Sequence, residues 1–198
     1  MTPGQRRALE EAWPIYGCEI NEGVLRFEDI FPVGRVVCEI GFGMGDSLFE
    51  MAQLNSDVNY IGIEVHRPGA GHLLNRASEL GLQNLKVFTE DSIDVLTKSI
   101  APHSLDGIQI FFPDPWHKKK HHKRRLINSE FAVLLASRLK PEGVLHIATD
   151  WQNYAESIEE TFAAWRKTTI PPRVETKYER RGRRLDHSVF DLAYQQPG

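Results

Sequence analysis

The chain has 198 residues, 41% apolar and 26% charged, with a formal net charge of −3. That balance predicts one globular domain spanning residues 1–198 with a core of its own. No apolar run approaches the roughly 18 residues of a membrane span, and the N-terminus lacks the basic-then-apolar layout of a signal peptide, so no membrane partner is expected. Cys18 and Cys38 have no paired-motif spacing, which favours reduced core thiols over a disulfide or metal site and predicts a reducing, cytoplasmic setting. The modest net charge conceals an asymmetry. Residues 1–100 carry 8 basic and 15 acidic side chains, whereas residues 101–198 carry 16 and 12. The positive charge clusters at Lys118 to Arg125 and at Arg173 to Arg184, which suits a nucleic-acid surface, the alternative being a solvated charged face.

Taken in chain order, short aliphatic and β-branched runs alternate with amphipathic stretches. VVCEI (36–40) predicts a buried strand, and a helix opens after the glycines over Asp46 to Gln53. NYIGIEV (59–65) is a second strand, followed by a helix from Gly69 to Glu79 that Gly81 terminates. LKVFTE (85–90) and a short helix from Ser92 come next, then strand LDGIQIFF (105–112), helix Asn128 to Leu139, strand GVLHIAT (143–149) and a helix from Gln152 to Trp165. VETKYE (174–179) and SVFDLAY (188–194) read as a last strand pair joined by the basic RRGRRLDH. Near-continuously apolar strands separated by helices predict an α/β fold: a Rossmann-like, doubly wound, mostly parallel sheet covered on both faces.

Ligands of such sheets bind at the carboxyl ends of the strands, and each of the five ends carries a carboxylate: Glu39, Glu64, Asp91, Asp114 and Asp150. The loop EIGFGMGD, with Gly41, Gly43 and Gly45, turns tightly enough for close approach of a ligand. Its third glycine is one position early for a dinucleotide fingerprint. Glu39 and Asp46 would also repel a pyrophosphate at the helix start. They would suit S-adenosylmethionine, which carries an ammonium and a sulfonium instead. Glu64, 23 residues past Gly41, is placed to take both ribose hydroxyls, and Asp91 to accept from the adenine amine. The plainer alternative is that Asp46 favours a helix N-terminus and Asp91 caps the next helix.

The densest chemistry is FFPDPWHKKKHHKRR (111–125), where a strand runs into Asp114 between two prolines, then a tryptophan and nine consecutive Lys, Arg or His residues. CEIGFGMG, GIEVH, this segment, the ATD of strand five and the late TKYE together resemble the bacterial tRNA (guanine-N7)-methyltransferases, over nearly the whole chain. The resemblance implies a seven-stranded class I methyltransferase fold and transfer of a methyl group from S-adenosylmethionine to N7 of the variable-loop guanosine 46 of tRNA, with no obligatory protein partner. It implies cofactor contacts at Glu39, Gly41, Gly43, Gly45, Glu64, Asp91 and Asp114, with Asp114 also catalytic. Substrate contacts fall on Lys118, Asp150, Thr176, Lys177, Tyr178 and Glu179, and the RNA-facing segment on Lys120, His121, His122, Lys123, Arg124 and Arg125. Family members often carry a longer basic N-terminal extension, whereas this chain begins MTPGQRR.

The chemistry of the implied reaction suits Asp114. Guanine N7 has an in-plane lone pair and needs no general base, but methylation leaves the ring cationic, which a carboxylate favours. Pro113 and Pro115 would fix that carboxylate's backbone. Trp116 stacks on the base or walls its pocket, the plainer alternative being that an aromatic after a strand is simply core. His117, His121 and His122 with Asp114 form an alternative metal site, which the adjacent cations oppose. The block carries no apolar stripe and is expected to be a mobile loop. Arg180, Arg181, Arg183 and Arg184 form a second candidate phosphate patch. Two other readings remain: an amine methyltransferase, since Asp-Pro-aromatic resembles the D-P-P-Y type of motif, and a non-catalytic RNA-binding module.

Overall fold

The computed structural model describes residues 1–176, 179 and 188–196, and of Glu22 the backbone only. Three helices precede the sheet: α1 (Pro3–Glu11), α2 (Trp13–Tyr16) and α3 (Phe27–Ile30). Then follow β1 (Arg35–Ile40), α4 (Asp46–Leu54), β2 (Val58–Ile63), α5 (Arg67–Leu80), β3 (Leu85–Phe88), α6 (Ser92–Lys98), β4 (Leu105–Phe111), a 3-10 helix (Lys119–Arg124), α7 (Ser129–Arg138), β5 (Leu139–Thr149), α8 (Gln152–Thr161), β6 (Arg166–Lys167) and β7 (Phe190–Gln195). The strands lie in the order β3-β2-β1-β4-β5-β7-β6. β7 runs antiparallel to β5, and the first five strands are parallel.

Alternation along each strand sends successive side chains to opposite faces. Cys38, Ile40, Ile61, Ile63, Ile108, Ile110, Leu145 and Ile147 pack with α6, α7 and α8 in one core. Val37, Tyr60, Leu85 and Val87 pack with α1, α4 and α5 in the other. Full burial of each such Leu or Ile stabilises the fold by about 1.5–3 kcal/mol. On this second face the polar side chains Glu39, Gln109 and His146 stand side by side on β1, β4 and β5. All three are buried. A cavity between Val37, Gln109 and Pro171 to Val174 shows that the extended 171–174 segment passes over this face.

The N-terminal helices were not expected from sequence. Thr2 and Gln5 form a capping box, and Leu9, Ala12 and Tyr16 are buried against α5, with the Tyr16 hydroxyl donating to the Ala77 carbonyl at 3.0 Å. Just after α2 the chain pairs with edge strand β3, Cys18 N–H donating to the Val87 carbonyl, so that edge is covered.

Three expectations need correction. Residues 174–176 of the expected strand VETKYE are irregular and residue 179 is helical; β7 pairs instead with the two-residue β6. Helix α8 stops at Thr161, where Phe162 turns into the core against Trp165 and Tyr194. The basic segment forms a 3-10 helix rather than a structureless loop, and Arg125, directly after it, anchors it to the interior. Both cysteines are buried. Among the described residues no helix is long and apolar enough to cross a membrane.

Candidate active site

The carboxyl edge where the sheet switches direction, between β1 and β4, opens into two adjoining cavities of about 360 and 540 Å³. Both are lined by Gly41, Glu64, Phe111, Pro113 and Asp114. Gly41, Gly43 and Gly45 all take positive φ (76°, 59° and 76°), so the loop between β1 and α4 can bend back over the strand ends. Glu64 fastens it: one carboxylate oxygen accepts from Gly43 N–H and the other from His66 N–H, both at 2.8 Å. Helix α5 packs so closely beneath that a Cβ at Gly69 would lie 1.8 Å from the Gly43 carbonyl oxygen. The sequence reading used Gly69 only as a helix start.

Glu39 lines the larger cavity and is 3% exposed. Burial pushes its carboxyl up to about 8, against the pull of the nearby Arg173 charge. Its Oε2 is buried without a hydrogen-bond partner among the described residues. Asp91 and Glu90 line the smaller cavity. Asp91 also caps α6, accepting from Ile93 N–H at 2.9 Å, so the plainer alternative holds alongside the cavity position. Glu90 is pushed up by burial and by the hydrogen-bonded Glu19 carboxyl.

Asp46 departs from its expected role. It borders the larger cavity, but its Oδ1 accepts from Arg76 at 2.8 Å and lies 3.3 Å from His72 Nε2. A carboxylate so paired is neutralised by α5 and does not offer the free negative charge inferred from sequence.

Asp114 is exposed and lines three cavities: the two above and a third of about 350 Å³ with Trp116, His117, Lys118 and His121. Its turn is strained on both sides, Phe112 at φ 52° and Trp116 at φ 47°, positions that cost on the order of 1–3 kcal/mol each for such residues. Buried Arg125 holds the turn from behind. Its Nε–H donates to the Pro115 carbonyl at 2.9 Å, its Nη2 to Asn153 at 2.9 Å, and its guanidinium lies 4.6 Å from the Tyr154 ring centroid. Arg125 is 6% exposed, so it leaves the predicted RNA-facing set and becomes the brace of the turn carrying Asp114. Lys118, Lys119, Lys120, Lys123 and Arg124 are exposed, and His121 and His122 half-buried. Trp116 walls the smaller cavity, half-buried beneath Arg124 at 5.0 Å.

Thr176 lines the larger cavity with Asp114. Asp150 lies instead in a neighbouring groove with His117 and Trp151. Lys177, Tyr178 and Arg180 to Arg184 lie outside the described residues. Glu179 is buried and faces inward: Arg173 donates to both its oxygens, at 2.5 and 2.9 Å, and Thr176 N–H donates to it at 3.3 Å. The same guanidinium donates twice to Asp191 at 2.8 Å. Asp191 in turn lies 2.8 Å from His146 Nε2, which must carry the hydrogen because an ionised carboxylate only accepts. Burial alone would raise the Asp191 carboxyl, but His146 and Arg173 outweigh it and hold it well below the ordinary range. Arg173 also lies over the Phe111 and Phe112 rings at 5.2 and 5.9 Å. A buried guanidinium left unpaired would be costly, so it draws both carboxylates to itself. Glu179 is therefore tied inward to Arg173 and Thr176 and is absent from the cavity lining. Sequence reasoning missed Asp191 and His146, each a lone polar residue inside an apolar strand, and read Arg173 as one end of a basic cluster suited to a nucleic-acid surface rather than as an internal tie.

A glycine loop over β1, a carboxylate at the end of β2 and an antiparallel seventh strand define the class I methyltransferase fold. A family model described as "Putative methyltransferase" matches residues 34–192. A tRNA (guanine-N(7)-)-methyltransferase of Pseudoalteromonas translucida (strain TAC 125) is 49% identical over 208 residues, covering 99% of this chain and 86% of its own. One from Chromohalobacter salexigens is 48% identical over 210 residues, covering 98% and 85%. Solved structures with the same fold include the 16S rRNA methyltransferase KamB, with TM-score 0.65 and 14% identity over 87% of this chain and 93% of that one. The aminoglycoside resistance methyltransferase NpmB1 has TM-score 0.61 and 18% identity over 86% and 91%. The chain belongs to the tRNA (guanine-N7)-methyltransferase family.

Proposed function

We propose that this protein transfers a methyl group from S-adenosylmethionine to N7 of the variable-loop guanosine 46 of tRNA, releasing S-adenosylhomocysteine and N7-methylguanosine. The observation that carries the reading is Asp114, which borders both cofactor-sized cavities and opens outward directly beside the exposed lysines 118–120. A cytoplasmic location, where free thiols persist, is part of the proposal.

The residues present fit the cofactor. Glu39, whose buried Oε2 is orphaned, lines a cavity in which an ammonium would find a carboxylate partner. Glu64 has used one lone pair per oxygen on the backbone and keeps others for a ribose diol. Asp91 is placed for the adenine end. When bound, S-adenosylmethionine supplies an electrophilic methyl on its sulfonium. The chain's own task is to present guanine N7 in line with that methyl and to stabilise the charge that develops on the purine, which is the role of Asp114. Arg125 and the two prolines hold that carboxylate still. Arg173 holds Glu179, which pairs with Thr176 at the wall of the larger cavity. Lys118, Lys119, Lys120, Lys123 and Arg124 neutralise phosphates next to the presented base, while Asp150 borders the groove alongside.

Incubation with methyl-labelled cofactor and bulk tRNA, followed by digestion, should place the label in N7-methylguanosine. Label in an exocyclic-amine derivative would overturn the assigned reaction, and the absence of any label in tRNA would favour a non-catalytic binding module.

A further inference from the structure

We propose that the groove between the 112–117 turn and the start of α8 is a second nucleobase site, which holds a nucleotide next to the target guanosine by stacking on Trp151. This rests on the tRNA reading above. The groove encloses about 790 Å³, and its lining includes His117, Asp150, Trp151, Gln152, Ser188 and Phe190. Trp151 is 38% exposed, and its ring lies 4.2 Å from the exposed His117 imidazole at a tilt of 46°. Exposed aromatic rings beside a line of cations make up a single-strand platform, because every base has a face to stack and every phosphate a charge to neutralise.

Two observations name the occupant. The first is position. β4 and β5 run parallel with Phe111 opposite Ala148, so the turns carrying Asp114 and Trp151 leave adjacent strands in the same direction. His117 lines both this groove and the cavity containing Asp114, so one imidazole separates the two spaces. The second is charge. The exposed Lys118, Lys119 and Lys120 follow His117 directly, so a backbone delivering a base to Asp114 passes these cations and brings the neighbouring base to the ring pair. Extruding a base from tRNA sacrifices its stacking, and a platform for its neighbour restores part of it. The rim, with Gln152 and Glu156 hydrogen-bonded to each other at 3.0 Å, is too polar for an aliphatic protein segment.

The test uses the full chain and tRNA transcripts carrying 5-iodouridine at either nucleotide flanking the target guanosine. Irradiation of the wild-type complex should crosslink one of these positions to Trp151. Trp151→Ala should weaken tRNA binding on the order of tenfold, the scale of a single base stack, with cofactor affinity unchanged, while Trp151→Phe should recover most of it. Crosslinks that map elsewhere, or a Trp151→Ala protein that binds tRNA within twofold of wild type, would overturn the site. Because crosslinking and binding are read without turnover, failure to methylate N7 would sink the reaction and leave this result to stand or fall by itself.

Discussion

The two halves of the sheet's carboxyl edge are built on different physics. On the side of β1, β2 and β3, position is set by backbone: three glycines at positive φ, two amide hydrogens on Glu64, and a helix packed too tightly to admit a methyl at Gly69. One carboxylate oxygen of its buried Glu39, Oε2, lacks a hydrogen-bond partner among the described residues, as a socket for a small cation should. On the side of β4, β5 and β7, position is set by charge: Arg173 ties Glu179 to Asp191 of β7, and Arg125 ties the turn carrying Asp114 to α8. Beyond these lie exposed lysines. A cofactor of one shape is met by a rigid pocket, whereas a large polyanion is met by ionic fastenings and a solvated cationic arm. The two halves should therefore respond to different perturbations.

The largest effect is expected at Arg173. Arg173→Met leaves Glu179 and Asp191 without their shared cation and should cost about 3–5 kcal/mol of stability in urea unfolding. A loss below about 1 kcal/mol would mean the pair behaves like surface charges, and the ionic account of this half would fail. Next comes Asp114→Asn, which keeps shape at an exposed position and removes the proposed stabilising charge. Single-turnover methylation should slow about 10²- to 10³-fold at unchanged melting temperature. A near-normal rate would remove Asp114 from the chemistry.

Replacing Lys118, Lys119, Lys120 and Lys123 with Ala sharpens the comparison further. Binding of tRNA should weaken and the slope of log affinity against log salt should fall by roughly 0.7–0.9 for each phosphate no longer neutralised, while cofactor affinity holds. An unchanged slope would make the arm a solvated face. The smallest step belongs to Glu39, read one pH unit at a time. Its carboxyl keeps its proton to about pH 8 in the folded protein but releases it near 4.3 when unfolded, so the native state binds more protons in between. Stability of the cofactor-free protein should therefore fall as pH rises through that window, by at most about 1.4 kcal/mol per unit. Cofactor affinity should rise over the same range, because an ammonium favours the ionised form. Glu39→Gln should flatten both curves.

How much of this was legible follows the same division. Strands β1 to β5 are apolar runs, and the glycine loop, Glu64, Asp91 and Asp114 follow from knowing where such strands end. Charge, by contrast, was read from composition alone, and composition does not say which way a side chain faces. Arg125 counted as one more RNA-binding cation although it is buried, and Asp46 as a free carboxylate although Arg76 holds it. The partners of Arg173 lie 6 and 18 residues away in sequence, beyond any local period. Strand β6 is two basic residues with no apolar signal, so the alternation of VETKYE attracted the assignment. Helix α1 was overlooked because its buried face is only Ala8 and Leu9.

The most direct measurement is borohydride reduction followed by aniline cleavage of tRNA that the wild-type protein has methylated. N7-methylguanosine carries a fixed positive charge that opens its ring to reduction, so the account predicts one new cut, at the variable-loop guanosine. Methylated tRNA that resists cleavage, or that is cut outside the variable loop, would contradict it.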